Sequence, residues 1–144
     1  MKVGGAMKSR ILLIEDNPDD ATLVMEGIAH IDGEVDIEVA VDGEAGLIRL
    51  RHLVSHGTPP DLIISNYNLP KLNGPQVLAA VKADEALRTI PFIMLTSSNR
   101  DCDRKACAGA HAYLIKGSTW VDIQAIAQKI IDLLPPYLAK RTTA

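Results

Sequence analysis

Aromatic residues make up only 3% of this 144-residue chain, and cysteine occurs twice. Cys102 and Cys107 form neither a CxxC pair nor part of a spaced framework, and five residues apart on a helix they face different ways. No disulfide scaffold is expected, and a reducing cytoplasm is the expected home. A broad basic field is also missing: the formal net charge is -3 and the sequence pI is about 5.7, which argues against nucleic acid or anionic lipid as a direct partner. No apolar run approaches the length needed to span a bilayer, and the opening "MKVGGAMKSR" lacks the apolar stretch of a signal peptide. Met7 is a second candidate start, with residues 1–8 expected to be a leader or an added segment. His30, His52, His56 and His111 are scattered, and no metal-ligand spacing is expected among them. Neither a GxGxxG turn nor a GxxxxGK[ST] loop is present, which weakens any reading as a flavin or nucleotide binder.

What is present is a hydrophobic fraction of 47%, enough for one core in one ordinary domain. Four short continuous apolar runs, "ILLI" at 11–14, "LIIS" at 62–65, "FIML" at 92–95 and "AYLI" at 112–115, predict strands covered on both faces, the habit of parallel sheets. A fifth, "DIEVAVDG" at 36–43, alternates, with Ile37, Val39 and Val41 on one side, and predicts a half-exposed edge strand.

Helical patterns fill the intervals. Asn17 is the expected cap of the first, with Pro18 at its first position, Asp19 and Asp20 as solvated first-turn acids, and Leu23, Val24, Ile28 and Ile31 as its buried stripe. Asp42 is the expected cap of the second, which carries Leu47, Leu50 and Val54. Pro75 starts the third, with Val77, Leu78 and Val81, and Asn73-Gly74 before it reads as a turn. The fourth, about 100–108, is polar nearly all round and is expected to be marginal unless a partner covers it. Ser118 is the expected cap of the fifth, whose Ile123, Ile126, Ile130 and Leu134 recur at helical spacing until Pro135 and Pro136 stop it.

Five β-α repeats with right-handed crossovers give a doubly wound parallel sheet, whose ligand site lies beyond the carboxyl ends of the strands. At those ends stand Glu15, Asp16, Asn66, Thr96 and Lys116. Adjacent carboxylates suit a hard divalent cation such as Mg2+, and the ammonium and hydroxyl suit the oxygens of a phosphoryl group. A nucleophile is missing, because an amide carries no negative charge with which to form an acyl phosphate.

The segments "ILLIEDNPDD", "PDLIISNYNLPKLNG", "IPFIMLTSS" and "AYLIKG", in this order and spacing, resemble the receiver domain of bacterial two-component response regulators over roughly residues 9–134, with 135–144 as a short tail. The likeness is strongest to stand-alone receivers, some of which serve phytochrome-type sensor kinases. It implies a flavodoxin-like fold with strand order 2-1-3-4-5. Glu15 and Asp16 match the acidic pair, with Asp16 the direct metal ligand; Asn68 matches the position whose backbone carbonyl completes the Mg2+ site. Thr96 and Lys116 match the phosphate-binding hydroxyl and ammonium, and Tyr113 the aromatic switch. Asn66 falls on the phosphoacceptor aspartate. A second departure is Gly117, where the family usually has a cis proline; a non-proline cis bond costs about 2.5–4 kcal/mol, so a trans Lys116–Gly117 bond is expected.

With Asn66 the acidic pair and one lysine leave a single net negative charge, where a third carboxylate would leave two. Crowded carboxylates raise one another's pKa, so the amide is expected to stabilise the metal-free protein and to weaken Mg2+ binding. The Asn66 amide is expected to donate to Asp16 or Glu15. The resemblance therefore implies a signalling module, not an enzyme, acting through contacts with a sensor histidine kinase or other signalling protein. The expected contact face is that of the fourth helix, fifth strand and fifth helix, with a homodimer as one form. Two alternatives stand beside it: an ordinary phosphorylatable receiver carrying an Asp-to-Asn change at 66, and, less favoured, a flavodoxin-like small-ligand binder.

Overall fold

In a computed structural model, residues 8–97 and 107–134 are described. The fourth expected helix (bar its last two residues), Cys102, the expected tail and the start of the chain through Met7 lie outside them. Five parallel strands, β1 (Arg10–Ile14), β2 (Asp36–Ala40), β3 (Leu62–Asn66), β4 (Phe92–Thr96) and β5 (Ala112–Ile115), form one sheet in the order β2-β1-β3-β4-β5. The described helices are α1 (Pro18–Ile31), α2 (Gly43–Ser55), α3 (Gly74–Ala83) and α4 (Trp120–Asp132), the last being the fifth helix of the sequence pattern. This is the flavodoxin-like, doubly wound single domain expected.

Strand alternation explains why the apolar runs are continuous. Ile11, Leu13, Leu62, Ile64, Ile93 and Leu95 face one way, into a layer closed by Val24 and Ile28 of α1 and Ile126 and Ile130 of α4. Leu12, Ile14, Ile63, Phe92 and Met94 face the other, against Leu47 and Leu50 of α2 and Val77 and Val81 of α3. Each central strand thus carries apolar side chains on both of its faces. β2 is an edge: Ile37 and Val39 are half-buried, while Lys8 pairs with Asp36 at 3.4 Å and Arg49 forks onto Glu38 along the rim.

Several local expectations need correction. Leu23, Ile31 and Val41 are exposed. The buried stripe of α1 is Ala21, Val24, Gly27 and Ile28, because small residues allow close approach to α4; a Cβ on Gly27 would stand 2.7 Å from Ile123 Cγ2. Val41 follows the end of β2, where alternation no longer applies. Thr119, not Ser118, caps α4, in a capping box with Asp122.

Asn73 is more than a turn residue. Its side chain accepts from the Gln76 amide N–H at 2.9 Å while the Gln76 side chain accepts from its backbone N–H at 2.9 Å, a reciprocal box that starts α3. Gly74 then packs against the end of β3, donating to the Tyr67 carbonyl at 2.8 Å; a Cβ there would stand 2.5 Å from the Asn66 carbonyl oxygen. The cap therefore anchors the loop that follows Asn66. Replacing Asn73 by alanine is expected to lower unfolding stability by about 1 kcal/mol, measured by urea denaturation.

Candidate functional site

The sheet ladders run past the strand ends and bring the candidate residues to one rim. Glu15 N–H donates to the Ala40 carbonyl at 2.9 Å, Tyr67 N–H to Leu95 at 2.7 Å, and Lys116 N–H to Thr96 at 2.7 Å. Side-chain parity decides the rest. Glu15 continues the face of Ile11 and Leu13, Asn66 that of Leu62 and Ile64, and Lys116 that of Ala112 and Leu114, so all three point toward the α1 and α4 side. Thr96 continues the opposite face, with Phe92 and Met94, and Tyr113 packs on that same side.

Glu15 is the hub, with only 2% of its surface exposed. Lys116 Nζ lies 2.5 Å from Glu15 Oε1, and both side chains are almost wholly buried. Glu15 Oε2 accepts from the Asn17 backbone N–H at 3.2 Å and from Asn66 Nδ2 at 3.3 Å. Burial pushes the Glu15 carboxyl above its ordinary range, and a hydrogen bond with the Asp16 carboxyl adds to that; Lys116 and the Asn17 N–H act in the opposite sense. Asp16 itself is exposed.

The Asn66 amide makes a second bond from the same nitrogen, to the Asn68 carbonyl oxygen at 2.9 Å. The loop that presents that carbonyl is braced at Lys71, whose φ of 67° is left-handed and whose ammonium lies 3.8 Å from Asp42 and 3.6 Å from Glu44. One N–H2 group thus bridges two oxygens, one from Glu15 and one from Asn68, that were expected to serve a cation.

This bears on Mg2+. The oxygen donors are of the right hard type, yet Glu15 is already engaged by an ammonium and two N–H groups, and the Asn68 carbonyl by an amide. Among the described residues no three of His, Cys, Asp and Glu gather as a metal group. The residues present therefore fit a divalent cation poorly, since it would have to displace internal donors.

One participant was missed in the sequence. Asp20, expected to be a solvated first-turn acid, lies 3.3 Å from Lys116 Nζ. Its only signal is its place in the first turn of the helix that leaves the rim, three residues after the Asn17 cap. Asp20 carries the acidic character of the rim outward without entering the buried part.

Beyond Lys116 the chain departs from the expected pattern as its glycine requires. No cis peptide bond occurs among the described residues, so Lys116–Gly117 is trans. The Asp122 side chain folds back over Gly117, and a Cβ there would stand 2.1 Å from Asp122 Cβ. From that position Asp122 accepts from the Ser118 and Thr119 N–H groups at 3.1 and 3.2 Å. Hydrogen bonding, first from the Thr119 side chain and then from these amides, holds the Asp122 carboxyl below its usual range.

Removing the ammonium leaves a buried acid with only neutral donors. Lys116→Ala is expected to cost about 3–5 kcal/mol of unfolding stability, read by chemical denaturation, with Lys116→Arg retaining more than Lys116→Ala.

Comparison with known proteins agrees with this fold. Residues 11–128 match the family described as the response regulator receiver domain. The chain is 35% identical over 123 residues to the probable methanogenesis regulatory protein FilR2 of Methanothrix harundinacea, covering 83% of this chain and 79% of that one. It is 32% identical over 124 residues to the response regulator Rcp1 of Synechocystis, covering 83% and 84%. A Mn2+-bound structure of Rcp1 superposes with a TM-score of 0.74 at 30% identity, covering 88% of this chain and 99% of that one. The phosphorylated cyanobacterial phytochrome response regulator RcpA superposes with a TM-score of 0.79 at 28% identity, covering 88% and 94%. The chain belongs to the response regulator receiver domains of two-component signalling, a family of signalling modules and not of enzymes.

Proposed function

We propose that this protein is a receiver whose signalling state is set by protein contacts and not by phosphorylation at residue 66. The observation that carries the reading is the double bond-making of Asn66 Nδ2, to Glu15 Oε2 at 3.3 Å and to the Asn68 carbonyl at 2.9 Å. A phosphoacceptor must present an anionic oxygen to an incoming phosphorus. An amide offers a neutral oxygen of low nucleophilicity, and here its nitrogen is committed to holding the rim together. Thr96, Lys116 and Tyr113 keep the family's side chains at the phosphate-binding and switch positions, while Lys116 is spent on Glu15 and Asp20.

Mg2+ binds weakly in this reading. Glu15, Asp16 and the Asn68 carbonyl are its ligands, and it must compete with the Asn66 amide and the Lys116 ammonium for them. Restoring a carboxylate with Asn66→Asp removes two donated hydrogen bonds and adds a like charge beside a buried acid. That variant is expected to lose roughly 1–3 kcal/mol of metal-free stability and to regain stability as Mg2+ is added, whereas the parent protein responds little; thermal melts across a Mg2+ titration measure both effects.

The partner class is a sensor histidine kinase or another signalling protein in the cytoplasm, and the likeness to phytochrome response regulators favours a phytochrome-type kinase. The described part of the expected contact face is β5 and α4; the fourth helix of that expectation lies, but for its last two residues, outside the described residues. Ile115 and Trp120 are more than a third exposed and Val121 is 71% exposed, an apolar group at the end of β5 and the start of α4 that suits docking or a homodimer.

The direct test is incubation with a small phosphodonor and Mg2+, followed by intact mass. The expected result is no stable phosphoryl adduct on the parent protein and an adduct on Asn66→Asp. A stable adduct on the parent chain would overturn phosphorylation-independent signalling.

A further inference from the structure

We propose that His52, in the last turn of α2, and His56, its C-cap, form a separate cation site for a divalent first-row metal that prefers imidazole, with Zn2+ as its type. The two residues are four apart, so they share a helix face. Their rings are stacked, with centroids 4.0 Å apart and planes 29° from parallel.

Hydrogen bonding fixes the useful tautomer. His56 Nδ1 lies 2.8 Å from the His52 carbonyl oxygen and 3.2 Å from Ser55 Oγ, and that hydroxyl in turn lies 2.9 Å from the same carbonyl. A carbonyl only accepts. The Nδ1 atom must therefore carry the hydrogen, and the hydroxyl, spending its own proton on the carbonyl, accepts from the ring. A neutral imidazole protonated at Nδ1 presents its lone pair at Nε2, and an Nδ1–H bond to a backbone carbonyl is the support that metal-bound histidines generally have.

The setting favours a cation. His56 is the C-cap of α2, where the helix dipole is negative, and its own backbone N–H also donates to the His52 carbonyl. Both side chains are exposed, so with His56 held by its Nδ1 contacts the His52 ring is free to turn out of the stack and bring its nitrogen to the ion. A tetrahedral ion about 2.0–2.1 Å from each nitrogen needs them about 3.3 Å apart, with the ion in the plane of both rings. No third His, Cys, Asp or Glu joins them among the described residues, so the remaining positions go to water or to a second molecule. Because α2 runs from the rim at Asp42 back along the sheet, this pair lies at the opposite end of the domain from Glu15. Its nitrogen ligands select against Mg2+.

Titration calorimetry of the full chain with Zn2+ tests the site, alongside His52→Gln and His56→Gln variants whose metal-free melting confirms folding. The expected result is one saturable site, weakened at least about tenfold by either substitution, unaffected by excess Mg2+, and accompanied by movement of both Nε2 resonances in long-range 1H–15N spectra. Unchanged binding in the variants, displacement by Mg2+, or absence of saturable binding would each overturn it.

Discussion

A carboxyl group inside a protein must be answered by donors, and Glu15 sets the terms for the whole carboxyl rim of this sheet. Burial favours its neutral form, the Lys116 ammonium and the Asn17 backbone N–H favour its charged form, and the Asn66 amide is a third donor to it. These come from three separate places, the end of β5, the entry to α1 and the end of β3, so the ionic hub ties together elements distant in sequence. Such a pair gains little over apolar packing but is costly to break, which makes it a device for fixing one arrangement.

The amide at 66 acquires its meaning in that setting. A metal-dependent rim holds its oxygens together with a cation drawn from solvent; here an N–H2 group built into the chain links Glu15 to the loop carbonyl of Asn68. Neutral donors repel no cation partner and create no surplus negative charge. In the function proposed above, this link gives the rim a cohesion of its own in place of the chemistry an aspartate would provide.

Much of this was legible in the residues. The continuous apolar runs give the central strands because both faces of β1, β3 and β4 are covered, and the alternation in Ile37 and Val39 marks β2 as an edge. Asn17 and Asp42 act as caps where their side chains predict it. Less legible was anything that depends on how close two elements come. Ala21 and Gly27 form the contact stripe of α1 in place of Leu23 and Ile31, because hydrophobicity alone undervalues the room a small side chain provides. Convergence at the rim was legible for Glu15, Asn66 and Lys116, which share strand parity, whereas Thr96 has the opposite parity and Asp20 enters from a helix. Which acid would receive the amide was left open between Asp16 and Glu15; burial decides for Glu15, since Asp16 looks outward.

The charged flank of β2 has a structural consequence of its own. An outermost strand offers unsatisfied main-chain groups to any foreign strand of matching length, and here Lys8 with Asp36 and Arg49 with Glu38 stand along that margin. An intruding strand would have to strip water from both ionic pairs before gaining its first ladder bond. Growth of the sheet into a continuous ribbon is thereby discouraged on that flank, leaving side-chain recognition on the opposite flank as the natural route to association.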